Sequence, residues 1–123
     1  MDELRSQQIE ALSVAVPYCN KLLNAINNVV LELQGNRLPD TDAYLDEIVN
    51  GLNWVLEVTN GTLDLINDNG IIIDKAETNA AVVALSESLK AKDDEMIAGN
   101  LAGGIRLYLE KFRDCCLKYI GNN

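Results

Sequence analysis

Residues 9–33 read IEALSVAVPYCNKLLNAINNVVLEL. Ile9, Leu12, Val16, Cys19, Leu23, Ile26, Val30 and Leu33 follow one another at alternating steps of three and four. That spacing sets side chains in one line along an α-helix, and it predicts a first helix over about residues 3 to 34, packed lengthwise against others. Leu22 and Val29 widen the stripe beyond the seam of a two-stranded coil, toward a multi-helix core. Pro17 lacks an N–H and crowds the turn before it, so a kink or short break is expected there. Gly35-Asn36 is a natural helix stop.

The same rhythm continues down the chain. Leu38-Pro39-Asp40-Thr41 is a turn ending in a capping residue, and a second helix starts from it. Leu45, Val49, Leu52, Leu56, Leu63 and Ile66 form its stripe, with Thr59 filling one slot, and Asn67-Asp68-Asn69-Gly70 ends it. Ile71, Ile72 and Ile73 read as a plug over the end of the bundle. Asp74 with Glu77 three residues later makes a capping box for a third, Ala-rich helix. Ala80, Val83 and Ala84, with Val82, Leu85 and Leu89 on adjoining faces, supply its apolar residues. Asp93, Asp94 and Glu95 suit the positive end of a fourth helix. Its core stripe is Ile97, Leu101, Ile105, Tyr108, Phe112, Cys115 and Tyr119, with Gly103-Gly104 a point where it can bend.

Four helices on short turns predict an all-α, up-down four-helix bundle occupying residues 1–123 as a single domain, its long helices bent at Pro17 and at Gly103-Gly104. The lengths do not match: at 1.5 Å per residue the first, second and fourth helices span roughly 40 to 48 Å and the third about 27 Å. The hairpin tip around Leu33, Leu38, Tyr44, Leu45 and Ile48 is then short of neighbours. Either the breaks at Pro17 and Gly103-Gly104 fold the long helices back over it, or a second subunit covers it; self-association is the favoured expectation, because exposed apolar patches mark contacts.

Composition removes many functions. The 123 residues hold no His, 3 Cys and 2 Pro, with 48% hydrophobic, 24% charged and 5% aromatic residues. A chain without His has no imidazole for catalytic triads or transition-metal sites. With 10 basic against 19 acidic residues the net charge is −9, which repels a nucleic-acid backbone. No run approaches 18 consecutive apolar residues, so no membrane span is expected. The opening residues Met1-Asp2-Glu3-Leu4-Arg5 do not read as a signal peptide, and Cys19, Cys115 and Cys116 have neither disulfide-framework nor zinc spacing. Cytoplasmic residence is the expectation.

No catalytic residue, metal site or cofactor is expected. The segment from Asp64 to Glu77 superficially matches a calcium loop, but placing Gly70 at its sixth position leaves Leu65 at the first and Ala76 at the twelfth, where carboxylates are required. Asp42 with Asp46, Asp64 with Asp68, and Glu110 with Asp114 pair at helical spacing, and a carboxylate-only, metal-dependent hydrolase would need such acids converging in one cleft. They read instead as a solvated acidic face. Cys115-Cys116 reads as buried small hydrophobes.

The distinctive feature is apolar residues off the core stripes. Trp54, Val58 and Leu65 point away from Leu52 and Leu56, and Met96, Gly103 and Leu107 point away from Ile105 and Phe112. Trp is enriched at interaction hot spots and glycine admits close approach of a partner helix, so these six residues form the candidate docking surface. The stretch Leu89-Lys90-Ala91-Lys92-Asp93-Asp94-Glu95-Met96-Ile97-Ala98-Gly99-Asn100-Leu101 resembles a segment of small uncharacterised helical proteins of Gram-positive bacteria. This chain departs from that pattern at Gly103-Gly104 and Leu107, where the group tends to aromatic, acidic and Pro residues. The resemblance implies a helical bundle with no known activity and supplies no site residues. The expected role is a non-enzymatic bundle binding another protein, as an adaptor or export-chaperone-like factor. The alternatives are the hydrolase and a purely structural homodimer.

Overall fold

The computed structural model describes residues 3–68, 70 and 72–120. They form α1 (Glu3–Leu33), α2 (Thr41–Ile66), α3 (Lys75–Ala91), α4 (Asp94–Asn100), a π-helical segment (Leu101–Ile105) and α5 (Arg106–Ile120). There is no strand among the described residues. The last three elements are one continuous rod, the fourth helix of an all-α bundle.

Cross-helix bonds set the directions. Gln8 Nε2 donates to Asp64 Oδ1 (2.9 Å) and the Gly61 carbonyl (3.2 Å), while Thr41 donates to Glu32 (2.7 Å), so α1 and α2 are antiparallel. Arg113 reaches Asn20 (3.2 Å) and Arg106 reaches Asn27, so α5 also runs against α1. Asn100 Nδ2 donates to the Ala84 carbonyl (3.1 Å) and Ser88 Oγ (3.2 Å), tying α4 back onto α3. The result is up-down-up-down, but α1, α2 and the fourth helix make the core, and α3 leans on α4 and the π segment. Only Leu85 and Ser88 of α3 are buried; Ala80 and Val83, expected on its core side, are exposed.

α1 runs unbroken through Pro17. Pro17 lies on the exposed face, where the Ser13 carbonyl that loses its N–H partner is open to water. Gly103-Gly104 lie in a widened π turn, a distortion of the kind at which helices bend, and a Cβ on Gly104 would stand 3.0 Å from that of Ala81. Glycine there lets α3 lie close against the rod.

The tip is largely covered within the chain, so the shortage of neighbours expected there is not seen. Leu33, Leu45 and Ile48 are buried, Tyr44 is half-buried, and Leu38 is exposed. The start of α4 reaches over the α1–α2 turn, where Arg37 grips Asp94 through two bonds of 2.7 and 2.9 Å and Asp42 through one of 2.9 Å. Those bonds hold the Asp94 carboxyl below its ordinary value. At the opposite end, Asn67 fastens the α2–α3 connection: its side chain accepts from the Ile72 and Ile73 amides (2.9 and 3.1 Å) and donates to the Ile73 carbonyl (3.0 Å). Ile73 is buried as a plug, Ile72 is partly exposed, and Ile71 lies outside the described residues. Asp74 caps α3 by accepting from the Ala76 and Glu77 amides, while the Glu77 carboxylate pairs with Lys111 at 3.5 Å.

Ile105→Ala should cost about 2–5 kcal/mol in urea unfolding, because the side chain is fully buried and its loss leaves a cavity. Val83→Ala, on the exposed face of α3, should stay within about 0.5 kcal/mol.

Candidate functional site

The α2 stripe is rotated from the expected one. Thr41, Leu45, Ile48, Leu52, Val55, Thr59, Thr62 and Ile66 face the core, again at alternating steps of four and three. The buried threonines are tolerable because Thr59 Oγ1 donates to the Val55 carbonyl (2.9 Å) and Thr62 Oγ1 to the Val58 carbonyl (2.7 Å). Thr59 also meets the Tyr108 hydroxyl of α5.

That rotation decides where the six candidate residues stand. Leu65 is 3% exposed and belongs to the core, so it leaves the docking surface. The last turn of α2 lies under the end of α5, and Tyr119 donates to the Leu65 carbonyl. Val58 is half-buried against the core. Trp54 remains partly open, 36% exposed. Its ring stands edge-on to Tyr18 of α1, with centroids 5.0 Å apart and planes at 76°.

Around this pair lies a shallow groove of about 580 Å³ lined by Val14, Pro17, Tyr18, Lys21 and Trp54. Through Tyr18 and Lys21 it runs into a second groove of about 540 Å³ between α1 and α2, where Tyr44, Glu47, Asn50 and Gly51 line the α2 side. Gly51 makes this arrangement fit: a Cβ there would stand 2.5 Å from the Tyr18 hydroxyl and 2.9 Å from Leu22. Val14, Pro17, Tyr18 and Lys21 fall at i, i+3, i+4 and i+7 on α1. That second, outward line of α1 was available as a signal and was masked by the stronger inner stripe.

Met96, Gly103 and Leu107 sit elsewhere, on the outer side of the fourth helix, with Met96 and Leu107 about half exposed. Leu107 also borders a crevice of about 90 Å³ between α3 and α5, with Ala81, Gly104, Tyr108 and Lys111. The expected single surface is therefore two faces, one on α1–α2 and one on the fourth helix.

Asp42, Asp46 and Asp94 line one groove, but with Arg37 and Lys92 among them, and the other acids singled out in the sequence stand apart. Asp64 serves Gln8, Asp74 caps α3, and Glu110 borders a polar groove with Asn20, Asn24, Asn27, Arg106 and Arg113. Among the described residues, no three His, Cys, Asp or Glu side chains lie close enough to hold a metal ion. No helix among them is long and apolar enough to cross a membrane.

Residues 10–113 match the model of a family described as a domain of unknown function, DUF8042. The chain belongs to that family. No curated protein and no solved structure matches it.

In this DUF8042 chain all three thiols are buried. Burial pushes Cys19 up to about 11, with Arg113 partly opposing, and Cys116 up to about 12. Burial also raises Cys115, against the pull of Lys118. Buried neutral thiols are poor nucleophiles and fill space as small hydrophobes.

Above the ordinary thiol value of 9.0 the unfolded chain releases these protons, while folded Cys19 holds its own until about 11. The contribution of these thiols to stability is therefore full below pH 9 and declines as pH rises toward 11. Urea midpoints measured across that interval should fall, and Cys19→Ala should flatten the decline. At neutral pH the native protein should resist thiol reagents that label it promptly in urea.

Proposed function

We propose that this chain is a non-enzymatic binding module, adaptor- or export-chaperone-like, that holds an amphipathic helix of another protein in the groove beside Trp54. One observation carries the reading: an aromatic pair, Trp54 and Tyr18, stands at the surface between Val14 and Pro17 with its tryptophan still 36% exposed. Large, rigid aromatic rings give much contact area for little entropic loss, which is why they anchor interfaces. The groove lies along two helices, a shape that suits an apolar helix face with anchors at i, i+3, i+4 and i+7.

Charge selects the kind of helix. Glu47 and Glu57 stand seven residues before and three after Trp54 on α2, and Glu10 stands four before Val14 on α1. Helical register puts all three on the side of their helix that carries the groove, and all are exposed. Lys21 is the one cation lining the groove. With the chain at −9 overall, the fitting partner has an apolar face flanked by Lys and Arg, attracted by complementary potential. Nothing in this mechanism forms or breaks a bond; the work is shape and charge.

Trp54 is the sole tryptophan, so its emission reports on the groove directly. A Lys/Leu amphipathic helical peptide should shift that emission to the blue, saturably, and titration calorimetry should show the binding lost in Trp54→Ala. Glu47→Lys with Glu57→Lys should weaken it by about tenfold or more. Trp54→Ala itself should cost about 1–3 kcal/mol, the edge-to-face pair plus the shielded part of the ring, and leave the fold intact. Equal binding of a Glu/Leu peptide, or no saturable shift with the basic one, overturns the reading.

A further inference from the structure

α3 is bound to the bundle far more lightly than the other helices. Of its 17 residues only Leu85 and Ser88 are buried, with Ala81, Val82 and Leu89 partly so. α1 and α2 each bury ten. The seat under its first turns is not close-packed, since a crevice of about 90 Å³ separates Thr78 and Ala81 from Gly104 and Tyr108. The Glu77–Lys111 pair at this crevice is 3.5 Å long with both side chains exposed, and pairs of that kind hold little. The firm attachment lies near the other end. Asn100 Nδ2 donates to the Ala84 carbonyl and to Ser88 Oγ, which donates in turn to the Leu85 carbonyl (2.7 Å).

The backbone is unusual on both sides of this helix. Lys92, at its C-terminal end, is the one non-glycine residue with positive φ among the described residues, at 54°. An L side chain resists that conformation, so straightening the chain at Lys92 relieves it. Immediately beyond, the chain is fixed: Asp93 accepts from the Met96 amide (3.1 Å), and Arg37 grips Asp94. Ahead of α3, Gly70 has φ 130° with open space around it, and glycine absorbs a change of backbone angle at little cost. A rigid helix thus lies between two residues suited to turn, which is the anatomy of a hinged element.

We propose that α3 is a strap that opens from the bundle as a unit, turning at Lys92 and Gly70, while α1, α2 and the rod stay folded. Segments that bury little and hang on a few bonds open at lower free energy than the whole molecule unfolds. Burial of Leu85 and the two Asn100 bonds favour the closed form, and release of Lys92 favours the open one. Opening bares Leu85 and Ser88 on the strap, and Asn100 and Gly104 on its seat. The Trp54 groove lies between α1 and α2 and takes no part, so the strap stands whether or not that groove binds a helix.

The test uses the full chain. Ser88→Cys puts a thiol of nearly the same size on the inner face of α3, where Ser88 is 0% exposed and only opening uncovers it. Cys19 and Cys116, equally buried in α1 and α5, are the internal controls. In native buffer, with the modified positions read by peptide mass, a maleimide should label the introduced thiol at least tenfold faster than either control. Leu12→Ala, which weakens the bundle through fully buried α1, should speed Cys19 and leave the introduced thiol unchanged. Asn100→Ala should speed the introduced thiol by about tenfold and leave Cys19 unchanged, since two bonds to α3 are lost. Hydrogen exchange of the protein without the new thiol asks the same question: α3 amides should exchange well ahead of those of α1, at a rate Leu12→Ala does not alter. Labelling no faster than at Cys19, equal acceleration of both thiols by either substitution, or α3 amides exchanging only together with those of α1 overturns the proposal.

Discussion

α1 is buried from two sides at once, and the bundle depends on it. Its inner residues Leu12, Ala15, Cys19, Ile26 and Val29 are almost fully shielded, because α2 covers one flank and α5 the other. A helix in that position needs an apolar line along its buried length, since a polar slot there must find a partner on a neighbouring helix, as Gln8 does at the end of α1. The alternating three-four stripe over residues 9–33 meets that demand. It also explains why Pro17 does no harm. A stripe this narrow leaves an exposed outer face where a missing hydrogen bond costs little. The proline stands there, beside the groove rather than in the core.

α3 is attached differently. It is short and weakly amphipathic, with little to bury, so it cannot insert between α2 and the rod as a fourth equal stave. It is held by specific devices: the Asp74 cap, the Asn67 clasp on the preceding loop, the Asn100 bonds to Ala84 and Ser88, and the close approach of Ala81 to Gly104. The π turn belongs to this set. It brings Gly104 against Ala81 of α3 while leaving Leu101 and Ile105 buried.

The fold was legible wherever one residue type repeats at helical spacing, and obscure wherever a polar letter does apolar work. All of the expected α1 stripe faces inward, and the fourth-helix stripe does so through Cys115. On α2 the reading slipped, because Thr41, Thr59 and Thr62 occupy core slots while Val49, Leu56 and Leu63 lie half-buried beside them. A threonine becomes core material only when its hydroxyl finds a partner, a carbonyl one turn back for Thr59 and Thr62 and the Glu32 carboxylate for Thr41, which composition does not reveal. The slip carried Leu65 to the wrong side. It spared Trp54, which sits off both candidate lines. The closure of the tip was illegible for another reason: Arg37 and Asp94 are 57 residues apart in sequence, and no periodic pattern links them.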